Sequence, residues 1–256
     1  MAKLRPVRHE DRLSLVEHLD ELRTRLIVSL LAFAVAFALC FWQDSVLLDI
    51  ANNPLPHGKQ PITLSPTEPF ITTITLAMYA AILISMPVIL YQLYAFVLPA
   101  FSARERRVAV PLLLMVPFLF IGGVVFGYFV VLKPAITFLL NFNAGDFNTQ
   151  IRARDYYSFV SLALLSMGIL FQIPVAILAM TRLGITTPEK LRKNRRYAIL
   201  VCAILAAVLP TIDPVTMLLE MLPLVVLYEL SIVVAAAFGR PPAEEVGEPV
   251  ASAEGS

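Results

Sequence analysis

The sequence predicts an all-α integral membrane protein with six transmembrane helices, on three observations. Of 256 residues, 58% are hydrophobic and only 15% are charged, which is too apolar for a water-soluble domain of this length. The apolar residues gather into six segments, most of them longer than the ~20 residues a helix needs to cross a ~30 Å hydrocarbon layer. Lys and Arg fall very unevenly among the connecting segments, although the net charge is only +1.

Residues 1–12 are polar and basic, with neither an apolar core nor a small-residue cleavage site, so they are expected to stay in the mature chain. Ser14 and Glu17 have capping-box spacing, and Leu13, Val16, Leu19, Leu22 and Leu26 recur every three or four residues. This predicts an amphipathic helix over 13–25 that lies at the interface and leads into the first span. The six spans run from Leu26 to Trp42, Phe70 to Leu98, Val108 to Leu139, Tyr156 to Thr181, Tyr197 to Leu209 and Val215 to Phe238. The fifth would reach only ~20 Å as a helix. The turn PTIDP at Pro210–Pro214 joins it to the sixth as a hairpin, so the last two helices are expected to be short and the bilayer locally thin. Prolines inside the spans, Pro87, Pro117, Pro174 and Pro223 among them, each free a backbone carbonyl and bend a helix, which predicts a bent, concave bundle. The segment Gln43–Glu68, with Pro54, Pro56, Pro61 and Pro66, is expected to form a rigid cap. Residues 1–239 then form one domain, and 240–256 a disordered acidic tail.

With both termini on one side, that side collects sixteen of the twenty Lys and Arg residues; Lys59, Lys133, Arg152 and Arg154 fall on the other. By the positive-inside rule the termini, the loop at Arg104–Arg107 and the loop from Gly184 to Arg196 are cytoplasmic. Glu21 and Glu105 are therefore expected to face the same compartment.

Glu105 follows the helix-stopping Pro99 and stands in a short loop among Arg104, Arg106 and Arg107. It either tempers a basic anchoring patch, at little energetic gain, or recognises a cation. Glu21 and Arg25, four apart on a helix, either pair with each other or leave the carboxylate for a guest. Within the spans, Ser158, Ser161, Gly168 and Gln172 share a helical face and offer a polar, small-residue stripe to other helices or to a water-filled cavity. Glu220 lies at depth and must face protein or water, whereas Glu229 falls near the cytoplasmic interface. Asp213 belongs to the far turn. Gly123 and Gly127 form one GxxxG packing motif. All three histidines lie outside the spans, and HExxH, GxSxG and Walker motifs are missing, so no enzyme, metal or cofactor is expected. The basic run RKNRRY reads as a topology determinant and implies no nucleic acid. A proton- or ion-coupled carrier of a small solute, with Glu220 and Gln172 lining its path, is the rival reading, for which internal repeats and a closed pocket would be required.

Several stretches together resemble one family. HLDELRTRL at His18, LYQLYAFVLPAFSARERR at Leu90, FQIPVAI at Phe171, GITTPEKLRKNRRY at Gly184 and LPTIDP at Leu209 occur in the order and predicted topology of TatC, the multispanning subunit of the twin-arginine translocase. The resemblance covers the chain from Leu15 to Phe238. It implies a cell-membrane protein that helps export folded proteins, powered by the proton-motive force, by receiving signal peptides with two adjacent arginines. The family's recognition residues fall on Glu21 and Glu105, with Arg23, Gln92 and Phe96 beside them. An arginine's planar fork pairs bidentately with a carboxylate, and a lysine cannot reproduce that geometry. TatC proteins carry an acidic residue at the position of Gln172, so this chain departs there: an amide bonds a polar group but brings no charge. Single-span TatA-type and TatB-type partners, membrane lipid and further copies of the chain are the implied associates, with the partner helices against the last two segments. Gln172, Ser161, Asp213 and Glu220 are the intramembrane polar candidates.

Overall fold

The computed structural model describes residues 9–56, 59–97, 103–146, 149–182, 184–208 and 214–238, with the side chains of 9–17, 97, 103–113, 182, 208, 216 and 237–238 outside the description. Asp213 and residues 240–256 therefore lie outside the described residues. Among those described, the chain is helical and contains no β-strand, only an isolated parallel bridge between Ile62 and Arg152.

Helix α1 runs unbroken from His9 to Trp42. The expected interfacial helix and first span are thus one rod, because no Gly or Pro interrupts residues 13–42. A short helix, α2 (Asp44–Asn52), follows inside the segment expected to be a proline-rich cap. Helix α3 spans Glu68–Val97 with Pro87 inside it. The third span is built from α4 (Ala103–Phe126), a π turn (Gly127–Leu132) and α5 (Lys133–Asn141). Pro134 accounts for the wide turn: its ring lacks an N–H and crowds the carbonyl four residues earlier, and the π geometry makes room. Pro174 acts more drastically on the fourth span. Helix α6 (Ala153–Leu170) stops, Phe171 and Gln172 form a turn, and α7 (Ile173–Arg182) resumes. Gly184, at φ 74°, turns the chain after α7, with Ile185 N–H donating to the Met180 carbonyl at 3.0 Å. Thr187 then caps α8 (Pro188–Lys193), accepting from Lys190 N at 3.3 Å.

The last pair differs from expectation. Helix α9 (Arg195–Val208) has 14 residues, but α10 (Pro214–Phe238) has 25 and is not short. The two pack antiparallel: Ala206 and Cys202 meet Leu224, Ala198 meets Tyr228 and Ile232, and Arg195 donates to Glu229 at 2.7 Å. The stretch of α10 beyond Glu229 outruns its partner and packs instead on α7 and α4, where Ala235 joins Val116, Val175 and Leu178. Glu229 sits half-exposed beside the basic loop, and Glu220 is fully buried. Among the described residues, five helical stretches are long and apolar enough to cross a membrane: His18–Trp42, Glu68–Phe96, Leu114–Asn141, Ala153–Thr181 and Met217–Ala236. Helix α9, ~21 Å long, is too short to join them on length.

Glycines let α4 approach α6. A Cβ on Gly123 would meet the Met167 carbonyl oxygen at 2.6 Å, and one on Gly168 would meet the buried Phe120 ring at 2.5 Å. The GxxxG pair therefore packs within the chain, where lipid supplies no hydrophobic drive and close van der Waals contact must hold helices together. At one end of the bundle, three tyrosine hydroxyls secure α2. Tyr128 donates to the Ile50 carbonyl (2.8 Å), Tyr156 to the Ala51 carbonyl (2.7 Å) and Tyr157 to Asn52 Oδ1 (3.0 Å). The last carbonyls of a helix lack partners within it, and the hydroxyls of Tyr128 and Tyr156 supply two of them. Beside them Ile62 N–H donates to Ile151 O (2.7 Å), Ala153 N–H donates to Ile62 O (2.8 Å), and buried Glu68 accepts from Arg152 Nε and Leu64 N, both at 2.8 Å. The carboxylate holds the guanidinium of Arg152 charged, its pKa pushed further above its ordinary value by that bond.

Candidate functional site

The residues expected to form a recognition site come from three helices. Glu21 stands on α1, its side chain 32% exposed. One of its oxygens, Oε1, accepts from Arg25 twice, from Nη2 at 2.5 Å and from Nε at 3.0 Å. The other, Oε2, lies 3.6 Å from His18 Nδ1. Arg25 also reaches across to α3, where its Nη1 donates to Gln92 Oε1 at 3.1 Å. One turn along α3, Phe96 stacks on His18 with ring centroids 4.2 Å apart and planes 12° from parallel. Glu21, Gln92 and Phe96 are thus gathered into one cluster between α1 and α3. Of the two readings of Glu21 and Arg25, the internal pair is the one formed.

Arg23 is exposed, on another face of α1, and makes no hydrogen bond or ion pair among the described residues. Glu105 is on the first turns of α4 rather than in a loop: α3 ends at Val97 and α4 opens at Ala103, so ARERR, a run of good helix formers, is already helical. Its side chain lies outside those described. His18 and Arg25 are members that the sequence reading did not assign to the site. The i,i+3 and i,i+4 spacings from Glu21 were the available signal.

The second candidate group lies within the bundle. Gln172, in the turn between α6 and α7, donates from Nε2 to the Val116 carbonyl of α4 at 3.2 Å. Its Oε1 is buried with no hydrogen-bond partner among the described residues. Gly168 faces Phe120, and Ser161 is buried. The stripe on the fourth span therefore turns toward α4 at Gly168 and Gln172. Glu220 is on a different helix and buried; Asp213 lies outside the described residues. Among the described residues, no cluster of His, Cys, Asp and Glu stands close enough to hold a metal ion.

The family profile described as "Sec-independent protein translocase protein (TatC)" matches residues 17–223. The chain belongs to the TatC family. It is 37% identical over 227 residues to the Sec-independent protein translocase protein TatC of Aquifex aeolicus, covering 85% of this chain and 92% of that protein. The TatC of Escherichia coli K12 is 35% identical over 227 residues, with 87% and 88% covered. A crystal structure of the twin arginine translocase receptor TatC in DDM superposes with a TM-score of 0.74 at 35% identity, covering 88% of this chain and all of that one. This TatC-family chain is accordingly a multi-pass membrane protein and a subunit of the twin-arginine protein translocase, not an enzyme. The small-solute carrier is set aside by the same matches.

Proposed function

We propose that this chain is the receptor subunit of the translocase, and that it takes the two adjacent arginines of a signal peptide at the α1–α3 cluster and at Glu105. The observation that carries the reading is the arrangement at Glu21, where a guanidinium already lies on a half-exposed carboxylate with an amide and an aromatic pair around it. A guest arginine would pair with the same carboxylate, taking over from Arg25 or adding to Oε2, which among the described residues only His18 approaches. The second arginine would go to Glu105, which stands among Arg104, Arg106 and Arg107 on the opening turns of α4. The crystal structure of a relative described as a twin arginine translocase receptor supports the same role.

In this reading α9 and the first half of α10 cross together as a thin hairpin, giving six crossings of a bent, concave bundle, with both termini cytoplasmic in the cell membrane. The positive loop from Lys190 to Arg196 and the Arg195–Glu229 pair at one end of the hairpin support that orientation. Exposed Tyr197, Leu200, Val201 and Ile204 on α9 leave an apolar face for TatA-type or TatB-type helices. Gln172, partly buried in the turn between α6 and α7, is the polar group offered to such a helix. Copies of the chain assemble into a larger complex, and the proton-motive force drives transport.

The test is photo-crosslinking from position 105 together with equilibrium binding of a peptide bearing an arginine pair and its lysine-pair version. The parent should prefer the arginine peptide, and Glu21→Ala and Glu105→Ala should each lower binding toward the lysine level while melting like the parent. Undiminished binding in both variants would remove the mechanism.

A further inference from the structure

We propose that the groove along α5 is a binding site for an anionic phospholipid, with the lipid phosphate held by Lys133. The groove has a volume of about 700 Å3 and is lined by Phe129, Lys133, Phe138, Asn141, Phe142 and Asn143, among others. Lys133 belongs to the apolar stretch Leu114–Asn141 and is exposed on its surface. A lone ammonium at that depth is costly in hydrocarbon, and such groups are found facing a partner or reaching for the interface. None of the ion pairs among the described residues supplies that partner: they join Glu21 to His18 and Arg25, Glu68 to Arg152 and Glu229 to Arg195.

The order of side chains along the helix matches the order of groups in a phospholipid. Phe129, Lys133, Thr137 and Asn141 follow at four-residue steps and so lie along one side of the helical rod. Phe129, 70% exposed, stands deepest and meets Tyr128 edge-on, offering ring surface to an acyl chain. Lys133 comes next. Thr137 is already engaged, its hydroxyl donating to the Lys133 carbonyl at 2.7 Å, so it does not compete for the phosphate. Asn141 and Asn143 close the groove at the level of a polar headgroup, and the Phe138–Phe142 pair, 5.7 Å between centroids, forms the flank. The ammonium starts roughly 12 Å short of the end of α5 and its ~6 Å stem brings the charge toward the phosphate plane.

Among the lining residues Lys133 is the one cation and there is no carboxylate, so charge complementarity selects an anionic lipid over a zwitterionic one. The attraction of one lysine to an anionic membrane surface corresponds to a preference of about fivefold.

The protein, reconstituted into phosphatidylcholine vesicles with traces of photoactivatable phosphatidylglycerol or phosphatidylcholine, reports this directly when crosslinks are mapped to residues 129–143. The parent should label with phosphatidylglycerol about fivefold more than with phosphatidylcholine. Lys133→Met should bring the two to parity, and Lys133→Arg should keep the preference. Equal labelling by both lipids in the parent, or a preference that survives Lys133→Met, overturns the site. If Lys133→Met leaves lipid labelling unchanged but weakens association with a single-span partner, Lys133 pairs with a protein carboxylate instead and the lipid assignment is wrong.

Discussion

Replacing Gly123 by alanine should cost more than any other single methyl added to the glycines of the third span. The new Cβ would stand 2.6 Å from the Met167 carbonyl oxygen and 2.8 Å from Cβ and Cγ of Phe171. Ordinary C···O contact begins near ~3.3 Å, so α4 must withdraw from α6 by roughly 0.7 Å. The obstacle cannot swing aside, because the Met167 oxygen is backbone and already accepts from Phe171 N–H at 3.0 Å. Overpacking of this kind costs about 1–3 kcal/mol. Two turns back along α4, Val116 O accepts from Gln172 at 3.2 Å, and the same withdrawal stretches that bond beyond useful length. Losing it leaves a half-buried amide donor unmet, at a cost near the lower end of about 1–3 kcal/mol. Together the loss is about 2–4 kcal/mol. Gly122 provides the control, since its Cβ would meet nothing within 4 Å, and Gly122→Ala should lie within about 0.5 kcal/mol of the parent. The assay is unfolding of the purified protein in mixed micelles followed by circular dichroism. If Gly123→Ala proves as stable as Gly122→Ala, the α4–α6 crossing is looser than described and the reasoning fails.

Two further outcomes follow from ion pairs. Arg25→Gln removes the internal competitor from Glu21, so affinity for an arginine-pair peptide should rise about two- to fivefold, the range available to a partly exposed pair; fluorescence anisotropy with a labelled peptide checks it, and unchanged or weaker binding by a parent-like fold would show that Arg25 does not compete. Glu68→Gln and Arg152→Gln should each speed hydrogen exchange at the Ile62 and Ala153 amides, and the double variant should show less than the sum of the two effects; simple additivity would mean that the pair does not tie the 62–68 segment to α6.

What the sequence made legible and what it did not divide by distance along the chain. Elements that depend on neighbours three or four residues apart were readable: five of the six expected spans are matched by stretches of membrane length, and Gly123 and Gly127 of the third span pack on the fourth, as Gly168 of the fourth packs on the third. Proline announced disturbance but not its form. Pro134 accompanies a π turn, whereas Pro174 follows a break in its helix, so the residue type alone does not choose between the two. Long-range ties had no local signature: Glu68 and Arg152 are 84 residues apart, and the tyrosines that cap α2 are 78 and 105 residues from their acceptors. The bounds of α10 were readable as Val215–Phe238, but the contacts that support its end are not: Ala235 packs with Val116 of α4 and Val175 and Leu178 of α7.

Gln172 shows how a departure from a family pattern acquires meaning only from geometry. An ionised carboxylate at that position has no proton to give and would face the Val116 carbonyl oxygen across 3.2 Å, where two acceptors repel. An amide donates there and still keeps an acceptor free. The same turn is where Pro174 ends α6 and where Gly123 brings α4 close, so the site is fixed by packing before any partner arrives. In this chain, then, the position suits a fixed hydrogen-bonding role rather than one that depends on gaining and losing a proton.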